Sequence, residues 1–176
     1  MAGMRKLVVV ALLMPALFAA PASAAPPTKQ VITQQTSLEN VTACGTYGVR
    51  WNIDLTATQW TFRDDQGRRT KTITYVEEDN TVVNTVTGLT LRDGPVNFVD
   101  TTTYDVATNR PDKILIVGTS VNVRRGRERL IDTGAILIDG PTRNILWSVG
   151  PHPLRELMDG SADIRLALPG FCHILR

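Results

Sequence analysis

Two cysteines, two histidines and 6% aromatic residues among 176 positions leave little material for several kinds of chemistry. No Cys-x-x-Cys is present, and two histidines with no carboxylate motif at a matching spacing do not supply the convergent ligands of a zinc or acid–base site. A Gly-x-Ser-x-Gly elbow is also missing, because Leu146 stands two residues before Ser148 where the first glycine is required. Sustained helical periodicity is absent, apart from one or two turns predicted over residues 153–158 behind Pro153. These absences predict no catalytic residues, no metal and no cofactor.

What is present begins with a leader. Arg5 and Lys6 precede an apolar run over residues 7–20 that ends in Ala22-Ser23-Ala24. A basic start, a short apolar stretch and an A-x-A site read as a signal peptide over residues 1–24, since the run falls short of the ~20 residues of a membrane span. Its removal leaves 17 Lys and Arg against 17 Asp and Glu. A formally neutral chain has no global attraction for phosphates, so nucleic acid is not expected as a partner, nor a membrane once the leader is gone. The expected product is exported. Residues 25–43, polar and Pro-containing, read as a flexible lead-in.

Residues 44–176 then read as a single domain. In an exported chain Cys44 and Cys172, with no third thiol, most simply form one disulfide. From Val49 the period is two: Val49, Trp51, Ile53, Leu55 and Ala57 alternate with polar residues. Turn signals recur about every 14 to 17 residues, at 64–67, 78–80, 92–95, 109–112, 124–127 and 139–142. Between them lie segments rich in Thr, Val and Ile at 70–77, 82–91, 96–106, 114–123, 130–138 and 144–149, with a last strand expected over 171–175. Eight strands without a crossover helix predict an all-β fold, an antiparallel up-and-down barrel closed near its ends by the disulfide. A β-sandwich is the alternative.

Cys44-Gly45, the Thr-rich meander, Gly140 to Gly150 with its Leu146-Trp147-Ser148, and the terminal Gly170-Phe-Cys-His-Ile-Leu-Arg176 resemble a family of small secreted actinobacterial proteins. That resemblance implies a lipocalin-like or allene-oxide-cyclase-like barrel and carries no catalytic residue to this chain.

Asp132-Thr133-Gly134 matches the tripeptide of aspartic proteases, which need two carboxylates sharing one site. One copy is present, and Arg129 and Ile136 depart from the usual flanks. The expected role is a strand whose glycine permits a bulge or a close backbone contact. Arg124, Arg125, Arg127 and Arg129, at a predicted hairpin tip, are candidate anion-binding residues or a solvated turn. His152 and His173 are expected in a surface loop and a strand. Trp51, Ile53 and Trp147 are candidates to line a small apolar ligand site, against the alternative that Trp51 simply fills the interior.

The leading expectation is a non-enzymatic barrel that binds a small apolar molecule or a protein partner. A cyclase- or isomerase-like enzyme would need Asp54, Asp100 or Asp132 to project inward. A surface-interaction or inhibitor module would act through residues 124–129 or 150–153.

Overall fold

The computed structural model describes residues 25–42, 44–153 and 169–176. They form β1 (Thr28–Leu38), β2 (Val49–Arg63), β3 (Arg69–Asn84), β4 (Thr90–Asp105), β5 (Arg110–Arg125), β6 (Glu128–Asp139), β7 (Ile145–Val149) and one short helix, α1 (Pro169–Ile174). All seven strands lie in one sheet in sequence order, each antiparallel to the next. The all-β, up-and-down antiparallel class is therefore the one the periodicity predicts.

Closure is different. The sheet is open, with β1 and β7 as its edges. Cys44 and Cys172 are bonded, but Cys44 sits in the β1–β2 connection and Cys172 in α1. The disulfide therefore ties a loop to a helix, and no strand edge is brought to its opposite edge by it.

Three local expectations also change. Residues 28–38, read as lead-in, form β1, because an edge strand exposed on both faces needs hydrogen bonds to its neighbour but no apolar period. Residues 78–80 and 92–95, read as turns, face one another across β3 and β4, with Asn80 opposite Asp93 and a register shift at that point. Here Asp, Asn, Gly and Pro build a bulge inside two long strands. The reversal between β3 and β4 comes instead at Asn84, whose Oδ1 accepts the Val86 and Thr87 N–H groups while the Gly88 N–H reaches its carbonyl. Finally, residues 171–175 are not a strand. Phe171, Ile174 and Leu175 recur at helical spacing and are all buried. The helix expected over 153–158 lies outside the described residues beyond Pro153.

The core sits on the inner face at one end of the sheet. Val49, Val82, Val121 and Val123 from three strands, β2, β3 and β5, meet Val41 and the three buried residues of the helical end. Trp51 packs on Phe171 at 5.6 Å between ring centroids. The Tyr47 hydroxyl donates to the Cys172 carbonyl at 2.7 Å and Asn84 Nδ2 to the Leu175 carbonyl at 3.0 Å, so the helical end is hydrogen-bonded to β3 and to the β1–β2 connection. A second, smaller cluster joins Ile114, Ile136 and Ile138 further along.

Candidate functional site

Strand alternation sorts the predicted residues onto two faces. Trp51 lies on the inner face inside the core cluster, and Ile53, two residues on, shares its side of β2. Trp147 pairs with Leu137 on the outer face. The three residues expected to line one ligand site therefore do not converge, and Trp51 is packing material. Asp54 is exposed and accepts from Gln35 Nε2 at 3.0 Å, whereas Asp100 and Asp132 are on the inner face. Asp100 is opposite Ile116 and Asp132 opposite Val121, about 16 Å apart along β5 at ~3.3 Å per residue, too far to act on one substrate atom.

Asp132 is buried, and Ser120 Oγ donates to its Oδ1 at 2.7 Å. The His152 side chain is buried too, at 6% exposure, in contrast to the surface position expected for it. Its Nδ1 lies 3.1 Å from Asp132 Oδ1 and its Nε2 3.0 Å from the Val149 carbonyl. Serine, aspartate and histidine thus meet, but not as a nucleophilic relay. The carboxylate stands between the other two, and the second ring nitrogen faces the main chain instead of the hydroxyl. What the arrangement does is fasten the chain after β7 onto β6. Gly134 serves the same junction: its φ is +131°, and a Cβ there would strike the Val149 carbonyl oxygen. His173 is exposed, 3.6 Å from Glu128.

A second buried carboxylate lies under the bulge. Asp93 is fully buried, its Oδ1 accepts the Asn122 N–H at 2.6 Å, and its Oδ2 has no hydrogen-bond partner among the described residues. Burial raises its pKa from 3.8 to about 6, with Asn122 and Asn80 pulling it down and nearby Glu78 pushing it up. The Glu78 carboxyl is raised as well, by burial, against the Asn80 amide that donates to it at 2.6 Å. Because the folded chain holds the Asp93 proton to higher pH than the unfolded chain, folding takes up a proton between about pH 4 and 6. Stability from this group is greatest below pH 4, declines as pH rises to 6 and is flat above. Asp93→Asn keeps an acceptor for Asn122 and removes the charge. It is expected to add about 1–3 kcal/mol at pH 8 and little at pH 4. Urea unfolding of both proteins at the two pH values checks this, and an equal difference at both would contradict it.

The outer face carries a feature that the sequence reading did not single out. One register row runs Val31, Thr58, Tyr75, Val99, Val117, Ala135, Val149 across all seven strands. The adjoining row runs Lys29, Trp60, Ile73, Thr101, Leu115, Leu137, Trp147. Together they make an apolar band about 30 Å wide at ~4.8 Å per strand. Val31, Val117, Trp147 and Val149 remain 44–58% exposed. The band reaches β7, an edge strand of sequence Ile-Leu-Trp-Ser-Val that bears no charge and no proline. Such an edge lacks the charges and prolines with which sheets commonly block pairing by another strand. The signal in the sequence was each strand's second parity, visible only once the register between strands is known.

The four hairpin arginines divide. Arg124 and Arg129 are register partners, and Arg125 pairs with Glu128 on the opposite face. Arg125 Nη1 donates to the Ile174 carbonyl at 3.2 Å and also to the Arg176 carbonyl, holding the C-terminal end. Arg127 lines a separate hollow with Glu128, His173 and Arg176. Among the described residues, no group of three His, Cys, Asp or Glu could hold a metal ion and no helix is long and apolar enough to cross a membrane. No family model, curated protein or solved structure matches this chain.

Proposed function

We propose that this chain is an exported, non-catalytic binding module that engages a protein partner through the outer face of its sheet. The observation that carries the reading is the apolar band ending at β7, an uncharged strand that has no second neighbour in the sheet among the described residues. Large exposed apolar patches bounded by polar residues mark interaction sites. A free edge beside one favours a partner that offers an extended apolar segment, adding its backbone to β7 and its side chains to the band. On the other side of the band the outer face turns polar, through Thr56, Glu77, Asn97, Thr119 and Thr133, which supplies the rim. Export is supported by the leader at residues 1–24 and by the disulfide. The small-ligand alternative loses its anchor, since Trp51 is engaged with Phe171.

The test is native mass spectrometry of the mature protein purified from the medium of producing cells, beside Trp147→Ser/Val149→Thr. The expected result is a complex with a second polypeptide, present in the wild type and absent from the variant. If that polypeptide is a second copy, the partner is the chain itself. A bare monomer in both samples overturns the proposal, and a small-molecule increment unaffected by the substitutions replaces it with a carrier.

A further inference from the structure

We infer that the end of the outer face formed by β4, β5 and β6 is a binding site for a tetrahedral oxyanion, a phosphate or sulfate group, gripped by Arg92, Arg124 and Arg129. This is independent of the band and of its partner. Arg124 and Arg129 are directly opposite one another in the β5–β6 register. Arg92 adjoins Asp93, which is opposite Val123, so Arg92 comes beside Arg124 on the same face. Three guanidinium groups thus line one hollow of about 380 Å³ together with Asn122, Gly94 and Pro95, and no carboxylate lines it.

Like charges directly opposite on a sheet are destabilising, and an anion between them reverses that cost. The neighbours leave donors available. Arg92 is half engaged, with Nε and one terminal nitrogen on Asp79 at 2.8 and 3.0 Å. Arg129 Nε donates to Asn122 Oδ1 at 3.1 Å, which orients the rest of its fork and leaves the Asn122 amide N–H groups as further donors. Arg124 makes no hydrogen bond or ion pair among the described residues. Planar forks of this kind match the edges of a phosphate or sulfate. The hollow exceeds the anion itself and falls in the size range of sites for small molecules that carry one.

Calorimetric titration of the mature protein with inorganic phosphate, inorganic sulfate and phenyl phosphate, each at ionic strength matched with chloride, tests the site. Saturable binding of one anion per chain is expected, weakened about 10-fold or more in Arg124→Ser and in Arg129→Ser and unchanged in Arg127→Ser. Tighter binding of phenyl phosphate than of the inorganic ions would identify the ligand as an ester, and equal binding a free anion. A thermal readout separates a lost site from a damaged fold. In chloride Arg124→Ser should melt no lower than the wild type, because a like-charged neighbour is gone, and should lose the rise in melting midpoint that phosphate produces. Absence of saturable binding in the wild type, or equal weakening by Arg127→Ser, overturns the assignment.

Discussion

Replacing Cys44 and Cys172 together by alanine is expected to lower the unfolding free energy by about 5 kcal/mol, because the bridge closes a loop across 128 residues of chain and removes that freedom from the unfolded state. The effect should be global, as the bridge spans six of the seven strands. It should also have a local signature. Of the groups at the helical end, Phe171 packs on Trp51, and among the described residues the Tyr47, Asn84 and Arg125 side chains hold its backbone by hydrogen bonds. Loosening of α1 would expose Phe171, Ile174 and Leu175, so the double variant should bind a hydrophobic dye under conditions where the wild type does not. Urea unfolding with and without reductant gives the magnitude. A loss below about 1 kcal/mol would mean that the residual order of the reduced unfolded chain, or packing of the helix alone, carries this end of the fold.

Gly134→Ala should be the most damaging single change on the outer half of the sheet. The added methyl would meet the Val149 carbonyl oxygen with Gly150 close behind, at a φ of +131° that side-chain-bearing residues avoid. Strain of this kind costs about 1–3 kcal/mol by itself, and displacing β7 adds the loss of its ladder to β6. Since β7 pairs with β6 alone among the described residues, the damage is expected to be local: fast amide exchange over residues 145–149 with a smaller change in the global midpoint. Gly88→Ala is the control. It has a similarly positive φ of +73°, but its added methyl meets nothing within 4 Å, so only the backbone strain remains. If the two variants behave alike, the steric account of Gly134 fails. If Gly134→Ala frees β7, it should also abolish binding by the proposed partner while leaving phosphate binding at Arg124 in place.

The proposed sites show how differently information is spread along this chain. Cys44 and Cys172 needed only counting, and the arginines of the β5–β6 hairpin were conspicuous as a run. That run is nevertheless misleading, because alternation sends Arg125 to the C-terminal end and Arg124 to the outer face, where it meets Arg129 from the far side of the turn and Arg92 from β4. No window of sequence joins Arg92 to Arg124. His152 carried no local sign of burial between two prolines; its partner Asp132 is twenty residues away, and only the return of β7 along β6 brings them together.

By itself the sequence determined the all-β class, the antiparallel up-and-down order and four of the six reversals, since period-two alternation and Asp-, Asn- and Gly-rich turns act between neighbours in the chain, though it counted eight strands where the described residues form seven. It also marked Gly134 as a place for a bulge or a close backbone contact, and the structure chose the contact. Tertiary structure decided the rest: that residues 78–80 and 92–95 cancel as paired bulges, that residues 28–38 join as an edge, that residues 171–174 coil over the core and that the sheet stays open. Each of those outcomes depends on pairing or burial between segments far apart in the chain, and a short segment whose own preference is weak takes the conformation that its distant partner can hydrogen-bond or cover.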